Sequence, residues 1–215
     1  LAASVLAAGA QYLHRACRVD ERHIDLFLSS TRFLAGKLIE GGVPREKIRH
    51  VQLTIDLSAF NPVPEWDDYI VYLGRLVPEK GVATLVRAMA KVPRCKLLVI
   101  GDGEQRPELE ALAAQLGARN VQFLGYRTRD ELSAIMARAR FQVTPSEWLE
   151  PCGLVVWESF ALERPVIGAR SGGIAENIDE HETGFLFEPG DADELAEKIA
   201  YLWDRPDLCR EMGKQ

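Results

Sequence analysis

The stretch Phe141-Gln142-Val143-Thr144-Pro145-Ser146-Glu147-Trp148-Leu149-Glu150-Pro151-Cys152-Gly153-Leu154-Val155-Val156-Trp157-Glu158 carries the architecture in miniature. Phe141 to Thr144 is an apolar, strand-like run, and the residues from Leu154 are helix-like, so the segment between them reads as the loop beyond a strand's carboxyl end. Glu150 lies on that loop and Glu158 about one turn inside the helix. In an open α/β sheet this crevice is where ligands bind. Two carboxylates there can grip hydroxyl-rich groups, and Gly153 lets the backbone come close to a ligand at the helix start. A blander reading stands beside this one. Paired glutamates arise by chance in a chain that is 27% charged, and Glu near a helix start is an ordinary capping residue.

The same alternation of strand and helix extends on both sides. Tyr69–Leu73, Lys96–Ile100, Val121–Leu124 and Pro165–Gly168 are further short apolar runs, which suit strands buried on both faces. Between them Val82, Leu85, Val86 and Met89 share a helical face, as do Leu109, Leu112, Ala113 and Leu116, and then Leu132, Ile135, Met136 and Ala139. Thr128 with Glu131 is a capping-box pattern, and Asp191 with Glu194 announces a last helix through Leu195, Ile199 and Leu202. The expected fold is α/β: a Rossmann-like parallel sheet with helices on both faces. Residues 1–65 differ. A helix is expected near 2–18, a strand at Asp25–Ser29, a helix over 31–41 capped by Ser30 and ended by Gly41-Gly42, and a strand from Ile48 to Leu53. Two strands are too few for a complete domain, and Asn61-Pro62-Val63-Pro64 reads as a linker. The expected division is therefore 1–65, the tail of a preceding domain plus linker, and 66–215, the main domain. The start at Leu1, without Met, suggests a piece of a longer protein.

Bulk composition narrows the function. A formal net charge of −6 argues against a general nucleic-acid binder. No apolar run approaches the length of a transmembrane segment. Cys17, Cys95, Cys152 and Cys209 lack zinc or redox spacing, which fits reduced thiols and a cytoplasmic protein; peripheral attachment at the inner membrane through the missing domain is the alternative. Gly101-Asp102-Gly103 lacks the third glycine of a dinucleotide fingerprint, and no Walker lysine loop is present. Two other loops are more telling. Gly74-Arg75-Leu76-Val77-Pro78-Glu79-Lys80-Gly81 puts two cations at a strand's carboxyl end, where a diphosphate could be held by the Arg fork and the compact Lys charge. Ser171-Gly172-Gly173-Ile174-Ala175-Glu176 offers backbone N–H groups to an anion. Each alone also reads as a solvated loop or a plain turn.

Taken in order, Gly74-Arg75-Leu76 with Lys80-Gly81, then Glu150 through Glu158, then Gly172-Gly173-Ile174-Ala175-Glu176 resembles the retaining glycosyltransferases of family four, which have the two-domain GT-B fold. Ser29-Ser30, Asp56 and Phe60-Asn61-Pro62 fall where that family's inter-domain stretch would put them. The resemblance implies that the chain is the carboxyl-terminal, nucleotide-sugar-binding domain plus the end of the acceptor-side domain. It further implies that Arg75 and Lys80 hold the donor diphosphate, Glu158 the ribose hydroxyls and Glu150 the donor sugar's hydroxyls. The pocket would be lined near Gly153, Leu154, Gly172, Gly173 and Ile174, with Gly125, Tyr126 and Arg127 near the base. Arg75, Lys80, Glu150, Glu158 and Gly172–Gly173 are expected around one cleft. No metal or other cofactor is expected, since the cations would take a metal's place. The acceptor would be a carbohydrate, a lipid-linked group or a small molecule. Cys152 stands where the family often has Phe, and Glu163 replaces a customary glycine. Glu150-Pro151-Cys152-Gly153-Leu154 also looks like the glycogen and starch synthases. A non-catalytic nucleotide-sugar-binding module and a GT-B-like epimerase are the remaining readings.

Overall fold

The computed structural model describes residues 23–215 apart from Leu53; the helix expected near 2–18 lies outside them. The chain divides into two compact units at Leu53–Thr54, ahead of the expected break at 65/66.

In the first unit, β1 (Phe27–Ser29) and β2 (Ile48–His50) pair in parallel, with Phe27 opposite Ile48. Between them runs α1 (Arg32–Glu40). Its cap is Thr31 rather than Ser30: the Thr31 hydroxyl accepts from the Leu34 N–H at 3.1 Å. Gly41 closes the helix.

The second unit is a doubly wound sheet of six parallel strands. They are β3 (Ile70–Leu73), β4 (Leu97–Ile100), β5 (Val121–Gly125), β6 (Gln142–Thr144), β7 (Val166–Ala169) and β8 (Gly184–Phe187), in the spatial order β5-β4-β3-β6-β7-β8. The helices are α2 (Val82–Lys91), α3 (Arg106–Gln115), α4 (Arg129–Ala137), α5 (Leu154–Ala161), α6 (Gly172–Asn177), α7 (Ala192–Trp203) and α8 (Pro206–Gly213). Strand alternation sorts them into two layers. Ile70, Tyr72, Leu97, Val99, Val143, Ile167, Phe185 and Phe187 face one way, onto Leu85 and Met89 of α2, Leu109 of α3, Leu195 and Ile199 of α7, and Cys209 and Met212 of α8. Val71, Leu98 and Ile100 face the other way, onto Met136 and Ala137 of α4. Val166 and Leu186 meet Val156 of α5 and Ile174 of α6 on that second side. Burial of both faces explains why the strands read as continuous apolar runs. β8, α6 and α8 were not anticipated from the sequence.

The cap signals divide. Thr128 and Glu131 form a complete capping box on α4. Asp191 caps α7 by accepting from Asp193 and Glu194 N–H at 3.0 and 2.9 Å, but Glu194 turns away to accept from Glu188 N–H at 2.8 Å. The Asp191-Ala192-Asp193 triplet has a metal-motif spacing and is used for this cap; Asp193 also pairs with Lys91 at the end of α2.

The linker is part of the second unit. Phe60 and Val63 pack against the cluster of Tyr69, Val71 and Leu98. Arg164, 4% exposed, fastens the linker by donating to the Val63 carbonyl. Just before it, exposed Glu163 holds φ at 57°, a left-handed conformation that costs an L-residue about 1–2 kcal/mol. Glu163→Gly should therefore raise the unfolding free energy by about 0.5–1 kcal/mol after the unfolded state's gain in freedom is subtracted. Urea denaturation measures this, and a lower midpoint would contradict the strain.

Candidate functional site

The sheet order reverses between β3 and β6, the neighbours at its centre, and a parallel sheet opens a crevice at the carboxyl ends of the strands where this happens. A cleft of about 460 Å³ lies there. Its walls come from the β3 loop (Gly74, Arg75, Lys80), the β6 loop (Ser146, Glu150, Cys152), the start of α5 (Gly153, Leu154, Val155) and Ile174 of α6.

The β6 loop is strapped to the β3 loop. The single 3₁₀ turn Pro78–Lys80 offers the Glu79 carbonyl, which accepts from Glu147 N–H at 3.0 Å and Trp148 N–H at 3.1 Å. Thr84 of α2 adds a bond to Glu147 Oε1 at 2.6 Å. From the other side, Ser171 Oγ donates to the Trp148 carbonyl at 2.7 Å and Gly173 N–H to the Glu150 carbonyl at 2.6 Å. Asn177 Nδ2 reaches the Cys152 carbonyl at 2.5 Å. Glu150 is thereby fixed at the backbone before its side chain makes any contact.

That side chain meets Lys80. The Lys80 ammonium donates to Glu150 Oε1, and Ser146 Oγ donates to the same oxygen at 3.0 Å. Lys80 and Glu150 are 23% and 15% exposed, so the pair is held where water screens it poorly. Arg75 is placed differently. Its side chain is 72% exposed, and the nearest carboxylate, Glu79, is 3.9 Å away. Tyr72 forms the floor, with its hydroxyl donating to the Arg75 carbonyl at 2.9 Å. Burial, with Glu150 nearby, holds that hydroxyl well above its usual pKa.

Of the residues singled out from sequence, Arg75, Lys80, Glu150, Gly153, Leu154 and Ile174 line this one cleft. Gly172 and Gly173 do not; they back the loop that does. Gly172 has φ of 57°, and a Cβ there would run into the Glu150 carbonyl oxygen. Glu158 is also outside the lining. It sits half-buried in α5, has no hydrogen-bond partner among the described residues, and feels the charge of Arg129 at the head of α4. Burial pushes its carboxyl above the usual range, with Arg129 opposing. Gly125 ends β5, and Tyr126 and Arg127 open the loop that leads into α4, with the Tyr126 ring exposed. Sequence reasoning passed over Ser146, Tyr72 and Asn177. Ser146 and Asn177 act on loop atoms and carry no spacing signal, and Tyr72 reads as one more apolar strand residue. Cys95 and Cys209 are buried, which pushes their thiols up to about 11 and about 12 and leaves them unreactive.

Residues 55–215 match the family described as glycosyl transferases group 1. The chain is 33% identical to sulfoquinovosyl transferase SQD2 of Arabidopsis thaliana over 95% of its own length and 41% of that protein's. It therefore spans about two fifths of that relative. Among solved structures it resembles Anabaena HepE in complex with UDP and glucose (TM-score 0.84, 23% identity, 91% of this chain and 58% of that one). It also resembles sucrose-phosphate synthase from Thermosynechococcus elongatus (TM-score 0.81, 28% identity, 92% and 54%). No helix among the described residues is long and apolar enough to cross a membrane. With a matching family domain over most of its length, the chain belongs to the glycosyl transferases group 1 family.

Proposed function

We propose that this chain is the donor-binding part of a retaining, metal-independent glycosyltransferase of family four that takes a nucleoside-diphosphate sugar. The observation that carries the reading is the meeting of Arg75, Lys80 and Glu150 in one cleft at the sheet's switch point. Breaking a glycosyl–phosphate bond builds negative charge on the leaving diphosphate and oxocarbenium character on the sugar. Arg75, exposed and only loosely paired, offers a fork to the diphosphate. Lys80 adds a point charge beside it. A well-placed electrostatic donor contributes about 3 kcal/mol to such a step. Glu150 accepts from the sugar's hydroxyls. Glu158 takes the ribose hydroxyls, a role supported by its half-buried carboxylate without a hydrogen-bond partner among the described residues. Gly125, Tyr126 and Arg127 lie toward the base, and the acceptor, whether carbohydrate, lipid-linked or small, binds on the part of the protein beyond this chain. HepE, whose fold this chain shares, has been solved with UDP-glucose, which supports a nucleotide-sugar donor here.

The test is calorimetry and thermal unfolding with UDP, GDP and ADP, each with and without EDTA. A nucleotide at 100 times its dissociation constant should raise stability by about 2.7 kcal/mol, and the chelator should leave the affinity unchanged. Binding that disappears with EDTA would show that a metal performs the work assigned to Arg75 and Lys80.

A further inference from the structure

We propose that Glu150 competes with the donor's diphosphate for Lys80, so that the site discriminates a nucleotide sugar from the bare nucleoside diphosphate. The inference rests on the reading of the cleft as a nucleotide-sugar site and adds a function to its central ion pair. Lys80 and Glu150 come from loops 70 residues apart in sequence, and the pair is directly bonded inside the cleft. Three features hold the carboxylate on the ammonium. The Glu150 carbonyl is clamped by Gly173 N–H at 2.6 Å. Its own N–H donates to the Trp148 carbonyl at 2.8 Å. Ser146 Oγ donates to the oxygen that Lys80 holds, at 3.0 Å.

A diphosphate that engages Lys80 must displace this carboxylate, and the cost of doing so depends on the ligand. With a nucleotide sugar, the released Glu150 oxygens find hydroxyl donors on the sugar, and the phosphate beside them is esterified. With a bare diphosphate there are no such donors, and the terminal phosphate carries additional negative charge. Glu150 is then desolvated beside a like charge, which opposes binding. The same competition returns Lys80 to Glu150 once the sugar has left, and so favours release of the product nucleotide. Ser146 acts here as a positioning residue, through the orientation of Glu150.

The test is calorimetry of the whole chain and its variants with UDP, GDP and ADP and with the corresponding glucose conjugates. Glu150→Gln keeps the shape and removes the charge. It should bind the diphosphate of the preferred base about tenfold more tightly, equivalent to about 1.4 kcal/mol, while its affinity for the sugar conjugate stays level or falls. Ser146→Ala should move the same ratio in the same direction by a smaller factor. In the Lys80→Ala background the gain from Glu150→Gln should fall to the part that like-charge repulsion alone supplies, because competition for the ammonium needs both partners. Unchanged or weaker diphosphate binding by Glu150→Gln overturns the inference while the reading of the site stands. No nucleotide binding by any variant removes both. Apo melting curves of each variant separate loss of fold from loss of binding.

Discussion

Arg164→Ala should lower the unfolding free energy by about 3–5 kcal/mol, the range reached when a buried polar network is broken. Arg164 is 4% exposed, and among the described residues it pairs with no carboxylate. Its guanidinium is satisfied by carbonyls instead: Nε and Nη2 on Ala137 at 3.0 and 2.6 Å, Nη2 on Val63 at 2.5 Å, and Nη1 on Glu163 at 2.9 Å. Those groups belong to the end of α4, the linker and the α5–β7 turn. Truncation leaves the Ala137 and Val63 carbonyls without this donor, and each buried orphan costs about 1–3 kcal/mol. It also frees Val63 from the apolar cluster on the sheet and removes a cation lying 5.6 Å from the Trp66 ring. Arg164→Lys keeps the charge and loses the fork, so it should recover less than half of the deficit. A loss under about 1 kcal/mol in urea unfolding, comparable to an exposed polar change, would show that water replaces the guanidinium and that the linker is not fastened by it.

This clamp marks where sequence reading stopped. The strands were legible because burial on both faces leaves unbroken apolar runs such as Leu97–Ile100. Their carboxyl ends came from the parallel order, which put Arg75, Lys80 and Glu150 in one crevice from the sequence alone. Contacts between distant loops were not legible. Nothing in Asn61-Pro62-Val63-Pro64 shows that the segment packs on the sheet, because its partners are α4 and an arginine about a hundred residues on. The Lys80–Glu150 pair was hidden for the same reason: the resemblance assigned the two residues to different parts of the donor, and the fold places them in contact. β8 was missed because Gly184 opens it and leaves an apolar run of only Phe185-Leu186-Phe187; α6 was missed because paired glycines read as a turn. Thr31 took the cap from Ser30 through a one-residue shift between two residues that both cap helices.

Gly172→Ala should cost about 2–5 kcal/mol and reduce nucleotide-sugar affinity at the same time. The glycine pair at 172–173 reads from sequence as a place where backbone N–H groups meet an anion. In the structure Gly173 N–H meets the Glu150 carbonyl instead, and Gly172 is what allows the two segments to lie so close. Two effects add. A left-handed φ of 57° costs an L-residue about 1–2 kcal/mol, and forcing a methyl group into a packed contact costs about 1–3 kcal/mol more. The obstacle is backbone, with the Glu150 nitrogen 2.7 Å and the Leu149 carbonyl carbon 2.9 Å from the added carbon, so no side-chain rotation relieves it. Relief must come from movement of the 148–151 loop. That movement carries Glu150 off Lys80 and opens the cleft wall, so the loss of binding should exceed what Glu150→Ala alone produces. Unfolding by urea gives the first number and calorimetry with a nucleotide sugar the second. If Gly172→Ala were less stable and bound as the unsubstituted chain does, the loop would be shown to reposition Glu150 without α6 behind it, and the glycine pair would be a matter of packing alone.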